Sequence, residues 1–165
     1  LLRQSISNED EVVPLAREVE YAKGYLTIQK MRYKDKLEFE IDVEPSILNI
    51  PLIKLVLQPI IENAIYHGID RMVDQGFITI RIFPDGEDIV FQVEDNGIGM
   101  TEEQCSQFLK QEGSDRQGLG GIGIKNVNDR IKIYFGEKYG ISIESELDEG
   151  TCVTIRMPKV KGDEV

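Results

Sequence analysis

In 165 residues the chain has no tryptophan, one histidine and two cysteines. Cys105 and Cys152 have neither metal-ligand spacing nor the numbers for a disulfide framework, and they read as ordinary free thiols. Basic residues are also scarce: 19 Lys and Arg stand against 30 Asp and Glu, a net charge of −11. That balance argues against a nucleic-acid surface, which draws its affinity from clustered cations. A small anionic ligand remains compatible with it, because glycine loops and helix N-termini bind phosphates through backbone N–H groups. No apolar run reaches the roughly 20 residues of a membrane-spanning helix. Internal repeats, low-complexity segments and a signal-like opening are missing as well. The first residue is Leu1 rather than Met, so a piece of a longer protein is expected.

What is present is one domain's worth of core, with 41% hydrophobic residues. Residues 1–13 read as a linker or the remnant of an upstream helix, 14–160 as the folded domain and 161–165 as a tail. Pro14 suits a first helical turn, and Leu15, Val19, Ala22 and Leu26 predict a helix over about 14–33. Leu37 to Val43 alternates as a half-buried strand. A second helix is expected from about 52 to 68, followed by a turn and the alternating Ile78, Ile80 and Ile82. Pro84-Asp85-Gly86 turns the chain into a return strand from Ile89 to Asp95. A short helix near 102–110, a helix over 122–135 and a closing hairpin (141–143 against 153–155) complete the order. That order predicts an α+β fold, a two-layer sandwich whose mixed, mostly antiparallel sheet is covered by helices on one face.

Four places carry chemistry. Within 57–68, Leu57, Ile60, Ile61, Ala64 and Ile65 make an apolar stripe, while Gln58, Glu62, Asn63 and the sole histidine, His67, make an unusual polar face before Gly68. Asn63 offers an amide oxygen for a divalent cation, or simply an interhelical hydrogen bond; His67 could equally be an exposed helix-end residue. Asp95 shares strand parity with Ile89, Phe91 and Val93, so it points at the core and needs a donor such as a purine amino group. A strand-end cap before Asn96-Gly97 is the plainer alternative. The run Asp95-Asn96-Gly97-Ile98-Gly99 is weak alone, because many turns look like it. Gly118-Leu119-Gly120-Gly121-Ile122-Gly123 is stronger, since its glycines precede a helix whose first amides lack partners. A dinucleotide fingerprint is excluded because no strand precedes that loop. Gly150-Thr151 is a hairpin turn unless the other three places converge on it.

Taken in order, LQPIIENAIYHG, DNGIGM, GLGGIGIKNVNDRI and GTCVTIRMP resemble the four conserved boxes of the GHKL (Bergerat) ATP-binding fold. The pattern is most similar to the catalytic domain of sensor histidine kinases of the LytS/YesM type, including the Asn126, Val127 and Arg130 pattern, and the resemblance covers about 14–158. It implies that Asp95 accepts from the adenine amino group, with Gly97, Gly99 and Thr151 around the base. Asn63 is implied to hold Mg²⁺ on the ATP phosphates, beside a catalytic Glu62. His67 and a lid over 110–123, with Gly118, Gly120, Gly121, Ile122 and Gly123, are implied to approach the phosphates. Lys125 and Arg130 are either electrostatic helpers or solvated charges. The resemblance also implies two partners, a separate dimerisation domain carrying the phosphoacceptor histidine and a response regulator. It implies a cytoplasmic domain of a membrane-anchored parent protein.

Two departures refine this expectation. Hydrolysing relatives of the gyrase, MutL and Hsp90 types place a water-activating glutamate one turn before the asparagine, and here that residue is Pro59. Slow hydrolysis is therefore expected, and the anti-sigma serine-kinase switch, whose members carry the same glutamate, becomes the second reading. His67 lies inside the nucleotide-binding helix, so self-phosphorylation of this chain is not expected.

Overall fold

The computed structural model describes residues 12–110 and 119–159, excepting the side chains of 119–122. The linker before residue 12, Gly118 with most of the expected lid, and the 161–165 tail lie outside the described residues.

The elements are β1 (Val12–Pro14), α1 (Leu15–Tyr33), β2 (Leu37–Val43), β3 (Pro51–Ile53), α2 (Leu57–Asn63) running into a π-helical turn (Ala64–Ile69), β4 (Gly76–Asp85), β5 (Asp88–Asp95), α3 (Glu102–Phe108), α4 (Leu119–Phe135), β6 (Gly140–Glu146) and β7 (Gly150–Pro158). Five strands form one sheet in the order β2-β4-β5-β7-β6. The pair β2–β4 is parallel and the other three pairs are antiparallel, which is the mixed, mostly antiparallel sheet expected from the sequence. Alternation explains the layering. Ile78, Ile80 and Ile82 of β4, Ile89, Phe91 and Val93 of β5, and Val153, Ile155 and Met157 of β7 are all buried. They meet Leu57, Ile60 and Ile61 of α2, Ile124, Val127 and Ile131 of α4, and Leu15, Ala22 and Leu26 of α1 in one core.

Three boundaries differ from expectation, each for a physical reason. The second helix begins at Leu57 rather than near 52, because Pro51–Ile53 pairs antiparallel with Val12–Pro14. Leu55 then turns with φ 62, a left-handed conformation incompatible with helix. That pairing also puts Pro14 in an extended conformation just before α1 rather than in its first turn. Finally, α4 begins at Leu119, so Gly120, Gly121 and Gly123 lie inside the helix rather than ahead of it, despite their low helix propensity.

The edge strand β6 is tied to α4 by a polar clasp. Buried Asn128 accepts the Ile141 N–H through Oδ1 at 2.8 Å. Lys132 donates to the carbonyls of Glu137 and Tyr139, both at 2.8 Å. Replacing Asn128 by alanine strands a buried amide and is expected to lower the unfolding free energy by about 1–3 kcal/mol. Urea unfolding measures this, and a midpoint equal to that of the unaltered chain would refute it.

Candidate functional site

The site forms where α2 ends over the tip of β5. Asp95 continues the inward row of β5 and is 7% exposed. It faces Thr151 across the β5–β7 ladder and Ile78 across β4. Its Oδ1 accepts the Gly97 N–H at 2.8 Å, and the Thr151 amide also bonds to it. Burial pushes this carboxyl up to about 6, against the pull of those two amides.

Glycine makes this packing fit. A Cβ on Gly97 would lie 2.4 Å from Gly68 Cα and 2.7 Å from Asp95 Oδ1, and one on Gly68 would come within 2.9 Å of the same oxygen. Asn96 pins the loop to β4, accepting the Phe77 N–H at 2.6 Å and donating to the Gln75 carbonyl at 3.2 Å. Gly99 has φ +72, and a Cβ there would meet the Glu146 carbonyl oxygen at 2.0 Å. Its requirement thus comes from the β6–β7 turn, whose Asp148 N–H donates to the Ile98 carbonyl at 2.8 Å.

The amphipathic pattern of α2 buries all five of its expected apolar residues. The π-helical turn, marked by the Asp70 N–H to Ile65 carbonyl bond at 2.9 Å, is a form often found at functional sites. Three buried side-chain polar atoms lack a hydrogen-bond partner among the described residues, and two are on this helix: Asn63 Oδ1 and His67 Nε2. The third is Gln29 Oε1 on α1. Buried polar atoms are nearly always paired, so α2 presents an amide oxygen and an imidazole nitrogen suited to a polar ligand. Asn63, 4% exposed, offers the hard oxygen that Mg²⁺ takes. His67 stands edge-on to Tyr66 and Phe108, with ring centroids at 4.9 and 6.0 Å. Burial, then the Arg71 charge, lowers its pKa and favours the neutral ring.

Asp95, Gly97 and Thr151 thus come together with Gly68. Glu62 turns the other way, toward α1: its Oε1 accepts Gln58 Nε2 at 2.9 Å, and Tyr21 hydrogen-bonds to it. Gly123 packs on α2, where a Cβ would sit 3.0 Å from Pro59 Cβ. Gly120, Gly121 and Ile122 belong to the first turns of α4. Lys125 pairs with Asp129 at 2.6 Å. Sequence reasoning missed Ser145, whose Oγ accepts the Met100 N–H at 2.8 Å and lies 2.7 Å from Thr151 Oγ1. The signal was available, since Ser145 shares parity with Ile141 and Ile143.

A carboxyl whose folded pKa lies above its ordinary value of 3.8 favours the fold while protonated. That contribution is full below about pH 4 and disappears as pH rises through about 6. Between pH 4 and 7 the native chain is expected to lose up to about 3 kcal/mol relative to Asp95→Asn. Urea unfolding of both proteins across that range measures it, and a pH-independent difference would contradict the burial argument.

Residues 49–161 match the family described as histidine kinase-, DNA gyrase B-, and HSP90-like ATPase, and residues 1–37 match the histidine kinase family. The sensor histidine kinase YesM of Bacillus subtilis is 34% identical over 96% of this chain and 26% of its own length. The sensor histidine kinase BtsS of Escherichia coli is 31% identical over 94% of this chain and 26% of its own length. The chain therefore spans about a quarter of these relatives. The catalytic domain of the histidine kinase ThkA superposes with a TM-score of 0.68 at 16% identity, covering 92% of this chain and 99% of that one. For the Acinetobacter baumannii histidine kinase AdeS the TM-score is 0.64 at 19% identity, covering 92% of this chain and 68% of that one; both show a shared fold. With its described fold and two-thirds of its length matched, the chain belongs to the histidine kinase-, DNA gyrase B-, and HSP90-like ATPase family.

Proposed function

We propose that this chain is the ATP-binding catalytic domain of a two-component sensor kinase. In the whole protein it would pass the γ-phosphoryl group of ATP to a histidine on a separate dimerisation domain, for relay to a response regulator. The observation that carries this reading is the pairing of a buried Asn63 Oδ1, without a partner among the described residues, with the buried Asp95 carboxylate of β5, against which Gly68 at the end of the same helix packs. One is a metal-and-phosphate contact and the other a base contact. The match of residues 1–37 to the histidine kinase family supports an adjoining phosphoacceptor segment. The reading places this domain on the cytoplasmic side of a membrane-anchored parent.

In this mechanism Asp95 orients the nucleotide by accepting from the adenine amino group, with Thr151, Gly97 and Gly99 shaping that end. Asn63 would hold Mg²⁺, which when bound neutralises charge on the phosphates. Glu62, drawn toward α1 by Gln58 and Tyr21, would turn back toward Asn63 to orient water or metal there. His67 and the α4 glycines approach the phosphate end, where first-turn amides favour anions. Catalysis then rests on positioning and charge neutralisation, with the acceptor imidazole as nucleophile. Pro59 has no proton-accepting side chain, so water is not activated from that position.

Titrating the chain with a non-hydrolysable ATP analogue, with and without Mg²⁺, tests the assignment. Asp95→Asn is expected to weaken binding by about tenfold or more in both conditions, the value of a hydrogen bond to a charged group. Asn63→Ala is expected to remove only the gain from Mg²⁺. Equal affinity in the native and Asp95→Asn proteins would contradict the base contact.

A further inference from the structure

Helix α2 has no side-chain cap of its own at Val56, although the first amides of a helix need partners. They find one on another helix. Glu18 of α1, 4% exposed, accepts the Val56 N–H through Oε1 at 3.1 Å, and the neighbouring Leu55 amide also favours its charged form. The carbonyl side of this turn is held from α4. Arg130 Nη2 donates to the Lys54 carbonyl at 2.7 Å, and Nη1 reaches the Leu55 carbonyl at 3.5 Å. Between them Leu55 sits at φ 62, a strained backbone for leucine that persists only where its surroundings enforce it. Burial raises the Glu18 pKa, opposed by the two amides and by the Arg130 charge.

Among the described residues no direct ion pair joins Glu18 and Arg130; instead the pair holds one turn from opposite sides, the carboxylate on its amide side and the guanidinium on its carbonyls. The turn it grips sets the start of α2, and Asn63 and His67 follow at fixed helical spacing. The same Arg130 anchors α4, whose Gly123 lies against Pro59 two turns before it. We propose that Glu18 and Arg130 are positioning residues for the metal–phosphate end of the site. By clamping Lys54–Val56 from both sides, they fix the axial place of α2 and the seating of the glycine-bearing α4 on it. Neither residue lies at the Asp95 end, which is built on the sheet.

The inference rests on the ATP reading, and one experiment separates the two. The 165-residue chain and its Glu18→Gln, Arg130→Met and Arg130→Lys variants are titrated with the ATP analogue, with and without Mg²⁺, and their thermal unfolding is recorded. Glu18→Gln and Arg130→Met are each expected to reduce the Mg²⁺-dependent gain in affinity by about tenfold, as loss of an outer positioning partner does. Mg²⁺-free affinity should be unchanged. Arg130→Lys, which keeps a cation and a donor for the Lys54 carbonyl, should restore most of the gain. A merely structural role would lower the melting temperature and both affinities together, and that result overturns the inference. So does an unaltered Mg²⁺-dependent gain. If Glu18→Gln does not fold, the two Arg130 variants decide the matter alone. A native chain that binds no analogue overturns the ATP reading and this inference with it; native binding with indifferent variants overturns the inference only.

Discussion

Helix α2 and strand β5 meet at a point with no room for a side chain. Gly97 stands where a Cβ would lie 2.4 Å from Gly68 Cα, and most of the site depends on that approach. It closes the helix end over Asp95, which removes the carboxylate from water and raises its pKa. It also keeps Asn63 and His67 along the same helix, just upstream of the buried acid. Gly150 completes the enclosure, since a Cβ there would sit 2.0 Å from the Asp95 carbonyl oxygen.

Around this contact the polar work is divided by position. The sheet end supplies a fixed acceptor, Asp95, braced by amides, and the hydroxyl pair Ser145–Thr151 ties β6 to β7 next to it. The helix supplies ligand-seeking atoms with no partner among the described residues. A site of this kind lowers a barrier through orientation, and small displacements are costly in such chemistry. That gives meaning to the devices holding α2 at its other end: the short β1–β3 ribbon, the left-handed Leu55 and the charges of Glu18 and Arg130. Pro59 fits the same division. It removes a base from the helix face and contributes instead a rigid surface for Gly123.

Legibility in the sequence followed the range of the forces involved. Strand parity placed Asp95 inside, and helical spacing placed the core face of α2, because both patterns are local. The closing hairpin was readable through its alternation and its glycine turn. The start of α2 was not, because it depends on Pro51–Ile53 pairing with Val12–Pro14, a contact distant along the chain. The helix through Gly120, Gly121 and Gly123 was hidden by weak propensity, which packing against α2 outweighs. Ser145 was overlooked because one serine in a hairpin carries no signal until Met100 and Thr151 are seen beside it. The orientation of Glu62 toward Gln58 and Tyr21 likewise required the neighbouring helix.

The proposed phosphoryl transfer from ATP to a histidine outside this chain can be measured directly. The chain would be mixed with the dimerisation domain of its parent protein, Mg²⁺ and ATP labelled at the γ-phosphate, and the products resolved. Acid-labile, base-stable label is expected on the dimerisation domain, with almost no free phosphate from the chain alone. Steady phosphate release without any labelled histidine, under nucleotide saturation, would contradict it.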